Sequence, residues 1–274
     1  MAVSVSAAPP AKPKDVHEIG DINWLHMILV APSGFGKTVT IGKNGKYKGL
    51  LLLTDPEGSF SAKRFGSTVE EWTCKDADAL KAAVTWLQSG GYKHYDFIAV
   101  DNISAAQLHY RLKAKQINRA KGNGSDEFKP TQDEYLTAQI AVEMLVKQLH
   151  DLPIHVVWTA WQEEHENLST GETYFAPNIQ GSKGALAQQV LGYMNVTAFG
   201  QVVTEGGKKV RQLTFDQIEP RLGKDRWGAF KPTENDLSIE DILDRVEAIK
   251  KGRTAAPAAK KVPTKKPVRR TVAK

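Results

Sequence analysis

Eight residues, Ala31-Pro32-Ser33-Gly34-Phe35-Gly36-Lys37-Thr38, constrain this chain more than any other segment, because of what stands on either side of them. Ahead of them, residues 24–30 (WLHMILV) form a continuous apolar run of strand length, the pattern of a strand buried on both faces. Behind them the sequence predicts a short helix that does not extend far past Gly45. A glycine-containing loop in that position turns its backbone N–H groups into a cradle for phosphate oxygens, helped by the positive end of the following helix. Lys37 is then expected to reach the β- and γ-phosphates, and the Thr38 hydroxyl to ligate Mg²⁺. The usual pattern begins with Gly, and this chain has Ala31, which is still small enough for a tight loop.

Strands and helices alternate after this point. Residues 50–53 read as a second buried strand ending at Thr54-Asp55, and Asp76 as the cap of a helix carrying Leu80, Ala83, Val84 and Leu87. Gly90-Gly91 ends that helix, and residues 95–100 (YDFIAV) are a third buried strand. A helix from about Ser104, a polar loop at 121–129 and a long amphipathic helix through Leu136, Ile140, Ala141, Met144, Leu145 and Leu149 follow. Residues 154–158 (IHVVW) are the fourth strand. This alternation predicts an α/β fold with a mainly parallel sheet flanked by helices. Residues 162–183 are then a long polar stretch, 185–194 a short helix, and 196–203 with 210–215 a hairpin around TEGGKK. A last helix begins near Ser238, with Ile239, Ile242, Leu243, Val246 and Ile249 on one face. The expected organisation is a flexible leader at 1–20, a core at 21–235, a C-terminal helix at 236–252 and a disordered tail at 253–274.

Charge separates the tail from the rest. The 274 residues carry a formal net charge of +6, yet ten Lys or Arg and no acidic residue fall between Lys250 and Lys274. What precedes Lys250 is therefore mildly acidic, at about −4 in formal charge. A Lys-, Ala- and Pro-rich tail of this kind either contacts nucleic acid through its phosphates or serves only solubility. No apolar run is long enough to span a membrane, and the start lacks the compact apolar stretch of a secretory signal. One cysteine, Cys74, excludes an internal disulfide, and the expected location is the cytoplasm.

Two acidic positions extend the phosphate site. Asp101 ends a buried strand, at the edge where a doubly wound sheet holds its ligands, and is expected to hold Mg²⁺. A strand-ending Asp that merely caps the next helix is the alternative. Glu57, in TDPEG after the second strand, is expected to polarise the attacking water, with Asp55 as the other candidate base.

A P-loop, an acidic residue after the second strand, an Asp ending the third and a polar end to the fourth together resemble the RecA-like core. The resemblance covers roughly residues 23–230 and implies ATP as the nucleotide with Mg²⁺. It also implies Glu57 as catalytic base and Thr159, with Gln162 as second candidate, as the sensor of the γ-phosphate. Lys224-Asp225-Arg226-Trp227-Gly228 resembles the Lys-x-Arg-x-Gly element of RadA and replicative helicases, in which such cations reach a neighbouring subunit's γ-phosphate. That reading implies a homo-oligomer, a ring or a filament. The order of the motifs, with APNIQGSKGALAQQV before the hairpin, looks most like phage ATPases of the single-strand annealing kind. Residues 162–183 then occupy the place of a loop facing single-stranded DNA, with Tyr174 and Phe175 to stack on bases and Lys183 to meet a phosphate. Arg64 and Phe65 are the nearest candidates for the adenine contact, and a single-strand-binding protein is a further candidate partner. Two other readings stand beside this one: a P-loop ATPase for helicase loading or other phage DNA metabolism, and a DNA-binding protein that ATP merely switches.

Overall fold

The computed structural model describes residues 24–55, 67–122, 129–166, 170–181 and 184–252. The expected leader and tail lie outside these, as do Glu57, Arg64, Phe65 and Lys183.

The apolar run ahead of the loop becomes β1 (His26–Ala31). Side chains alternate across a strand, so Ile28 and Val30 enter one core while Met27, Leu29 and Ala31 enter the other. The run of leucines is β2 (Gly49–Leu53), and Gly49 is required there because the Phe97 ring lies 2.2 Å from where its Cβ would stand. The polar segment EEWT, which carries no strand signal, forms β3 (Glu70–Thr73) parallel to β2 at the sheet edge. Then come β4 (Phe97–Asp101) and β5 (His155–Glu166). Among the described residues the sheet has ten strands, with the order β3-β2-β4-β5-β1 on the side built first. β1 continues into the hairpin of β7 (Val196–Glu205) and β8 (Lys208–Thr214), β7 running parallel to β1. Gly206 and Gly207 make the turn with φ of 56° and 78°, the left-handed backbone such a hairpin needs.

One expectation is corrected here. Residues 162–183 are not a loop throughout: β5 runs on to Glu166 and pairs antiparallel with β6 (Thr173–Pro177). The extension runs past the other parallel strands and is polar along most of β5, exposing Glu163, Glu164 and Glu166, so it lacks the apolar alternation by which a strand is recognised. Short strands β9 (Gln217–Ile218), β10 (Arg221–Leu222), β11 (Lys224–Asp225) and β12 (Thr233–Asn235) complete the β-structure of the described residues.

Helices cover both faces. α1 (Lys37–Gly42) follows the loop, and α2 (Ala77–Gln88) starts where Asp76 accepts a hydrogen bond from the Ala79 N–H at 2.8 Å. α3 (Ile103–Ala120), α4 (Gln132–His150) and α5 (Ala185–Tyr193) join α2 on the Ile28–Val30 face. On the other face α6 (Ile239–Lys250), opened by a Ser238–Asp241 capping box, buries Ile239, Ile242, Leu243 and Val246 beside Ile41 of α1. Each such aliphatic side chain contributes about 1.5–3 kcal/mol, which fastens α6 to the same core as β1. Among the described residues no helix is long and apolar enough to cross a membrane.

Candidate active site

Every parallel strand of this sheet ends on the same edge, and the chemistry collects there. β5 lies between β1 and β4, so the loop after β1 and the carboxylate ending β4 stand one strand apart, facing each other across Thr159. Asp101 is 4% exposed and accepts from two hydroxyls: Thr38 Oγ1 at 2.5 Å on Oδ2, and Thr159 Oγ1 on Oδ1. Asp101 does not cap α3. Asn102 does, accepting from the Ala105 N–H at 2.7 Å, which leaves the Asp101 carboxylate to the loop. Thr54 clamps this strand end: its N–H donates to Asp101 O at 2.9 Å and its hydroxyl to Asn102 O at 2.7 Å.

Lys37 is also buried, and its ammonium donates to the carbonyls of Ala31 at 2.8 Å and Pro32 at 3.0 Å. Its side chain therefore lies back along the loop that it closes. Burial lowers its pKa, against which the Asp101 charge acts to raise it. For Asp101 burial is again the largest effect and raises the pKa, opposed by the Thr159 and Thr38 hydroxyls and by Lys37. Asp55, at the end of β2, adds to the rise through its own charge. An ionised Asp101 is thus costly as the fold stands, and a divalent cation beside it relieves that cost.

Gly34 and Gly36 take φ of 78° and 100°, which side-chain-bearing residues adopt only with strain. Ala31 shows no such φ. It ends β1 in register beside β7, and Gly200 of that strand gives it space: a Cβ there would lie 2.9 Å from Ala31 Cβ and 2.7 Å from the Phe35 ring. The departure from the usual Gly is therefore absorbed by a glycine on the adjacent strand. Phe35 is buried against that glycine and ties the loop to the core.

Sequence reasoning passed over Arg211 and Gly200 because no local signal marks them and each acts through long-range register; Asn102 acts locally, as a cap, but stands beside Asp101, an equally good capping residue. Arg211 of β8 reaches the loop, with its Nη1 2.8 Å from where a Cβ on Gly36 would stand.

The Lys224–Arg226 segment is not brought to this edge. β11 pairs with the beginning of β7, and the Arg226 N–H donates to Asn195 O at 2.9 Å, level with the start of β1. The loop lies at the far end of β1, five residues on and roughly 17 Å along the strand. Lys224 donates to Leu191 O at 2.5 Å, and burial lowers its pKa to about 8; Arg226 is exposed. On the β5–β6 hairpin, Tyr174 stacks on His165 with centroids 5.4 Å apart. Phe175 packs back on the core with the Arg221 guanidinium 4.9 Å above its ring.

A parallel sheet with one strand inserted between the loop-bearing and Asp-bearing strands, helices on both faces, and a Gly-Lys-Thr cradle after β1 define a P-loop NTPase. The chain belongs to the family described as AAA domain, whose model matches residues 24–227. Among solved structures it is similar to the flagellar accessory protein FlaH from Methanocaldococcus jannaschii, at 11% identity and a TM-score of 0.36, over 70% of this chain and 78% of that one. It is likewise similar to the RadB recombinase, at 15% identity and a TM-score of 0.38, over 69% of this chain and 79% of that one. No curated protein matches it. The fold assignment rests on the strand order and the loop.

Proposed function

We propose that this chain hydrolyses ATP with Mg²⁺ and couples turnover to single-stranded DNA, in recombination or strand annealing of the phage kind. The observation that carries the nucleotide reading is Asp101, buried, and held between the hydroxyls of Thr38 and Thr159 beside Lys37. Mg²⁺ prefers hard oxygens, taking one or two carboxylates together with substrate phosphates, and the Thr38–Asp101 pair fits that preference. The metal, when bound, offsets phosphate charge; the protein's residues do the rest.

Residues 31–38 hold the phosphates through backbone N–H groups, and Lys37 turns from the loop carbonyls to the phosphate oxygens. Thr159 reports the terminal phosphate through the carboxylate that it shares with Thr38. Glu57, three residues beyond Thr54, accepts the proton of the attacking water, in preference to Asp55. Arg226, exposed and far from its own loop, together with Lys224, serves the loop of a neighbouring copy, which requires a ring or filament. The DNA reading rests on the β5–β6 hairpin projecting past the nucleotide edge with Tyr174 and His165 stacked on it.

Steady-state ATP hydrolysis, measured with and without single-stranded DNA for the wild type and Lys37→Ala, tests the proposal. Turnover that rises with DNA and vanishes in the variant is the expected result. Turnover indifferent to DNA removes the recombination reading and leaves a P-loop ATPase of another task, helicase loading among them.

A further inference from the structure

We infer that Arg211 holds the nucleoside end of the nucleotide bound at the loop, an inference that rests on the nucleotide reading above. Arg211 sits opposite Val202 in the β7–β8 hairpin and shares a strand face with Leu213 and Phe215, both buried in the core that also holds Ile41 of α1. One step up that face, the row of apolar side chains is continued by a guanidinium lying against the loop. An ideal Cβ on Gly36 would lie 2.8 Å from Arg211 Nη1 and 3.5 Å from its Cδ.

The side chain is held in place. Its Nε is 3.5 Å from Asp236 Oδ1, and the same oxygen accepts from the Arg211 N–H at 3.3 Å. The Asp236 N–H donates in return to Arg211 O at 2.7 Å, and Asp236 itself takes a left-handed φ of 51° to do so. Arg211 is 24% exposed, enough to meet a ligand lying on the loop.

The direction of the phosphate chain decides which part of the ligand Arg211 meets. Thr38, Asp101 and Thr159 gather on the side of β1 occupied by β5 and β4. Lys37 and the metal take the β- and γ-phosphates, while the backbone of the loop cradles the α- and β-phosphates. The terminal phosphate therefore points towards β5 and β4, and the nucleoside leaves towards β7 and β8, where Arg211 stands. A guanidinium offers such a ligand a flat face to stack on a base and a fork of N–H donors for ribose or α-phosphate oxygens. Lysine has neither the plane nor the fork.

Calorimetric titration with Mg²⁺ and either ATP or inorganic tripolyphosphate separates this role from a mere brace for the loop. Arg211→Ala is expected to weaken ATP binding about tenfold while leaving tripolyphosphate within about twofold of wild type. Arg211→Lys, which keeps the charge and serves if the alanine variant melts early, is expected to fall between the two. Equal loss of ATP and tripolyphosphate, or loss of neither, overturns the inference. Lys37→Ala is the control: it must weaken both ligands. If it weakens neither, the nucleotide reading itself fails, and the inference with it.

Discussion

The two ends of the parallel strands are built on opposite principles. At the loop end, polar and charged side chains converge and are committed to one another: Lys37 to loop carbonyls, and Thr38 and Thr159 to Asp101. At the start of the same strands two half-buried imidazoles stack on each other. His26 stacks on His150 with centroids 3.8 Å apart, His150 accepts from the Trp158 indole at 3.0 Å, and His26 Nε2 has no partner. Burial pushes the pKa of His26 down to about 4 and that of His150 to about 3. The first end gathers an ammonium and a carboxylate into its interior; at the second the two stacked imidazoles are kept neutral, and the charged groups, Asp96, Asp151 and Arg226 among them, stand outside.

Asp101→Asn attacks the first end and has the largest expected effect. The amide keeps the shape and can still bond both threonines, one of the two bonds reversing so that the amide NH2 donates, but it is a poor ligand for a divalent cation, so turnover falls about a hundredfold or more. Stability moves the other way. Because the folded pKa of Asp101 is raised, its contribution is complete below the unfolded value of 3.8 and lost as pH rises above it. At neutral pH the asparagine variant therefore melts no lower than wild type; a clear loss of melting temperature would mean that the carboxylate is there for the fold.

The histidine end sharpens the contrast with a smaller effect. His26 and His150 have depressed pKa values, so the unfolded chain takes up protons before the folded one does. Their contribution is complete above about 6.5 and is lost progressively as pH falls towards about 4 for His26 and about 3 for His150. Melting curves between pH 7 and 4 should show the wild type losing stability faster than a His26→Leu variant. Parallel curves for the two would show that the fold does not keep these imidazoles neutral.

The loop end was largely legible in the sequence. An apolar strand, glycines at the two positions of left-handed φ and a following helix leave few folds open, and β4 announces Asp101 because it is apolar throughout. Asp76 and the Ser238–Asp241 box cap the helices that they precede, since capping is decided within one turn. What escaped was set by distant register. Nothing near Gly200 tells that Phe35 and Ala31 press on it, nor does anything beside Arg211 point to Gly36. The sequence around Asp101-Asn102 does not say which of the two caps α3. β3 and the hairpin of β6 were missed because polar, solvated strands share their composition with loops.

Mixing two inactive variants tests most directly whether the two ends meet across subunits. Lys37→Ala disables the loop end and Arg226→Ala the opposite one, and each alone should lose about a hundredfold or more of ATP turnover. If Arg226 serves a neighbour's loop, mixed assemblies contain junctions where an intact loop faces an intact Arg226, and turnover returns to a substantial fraction of wild type. A mixture as inactive as its components would contradict the account and leave Arg226 as a surface residue of its own chain.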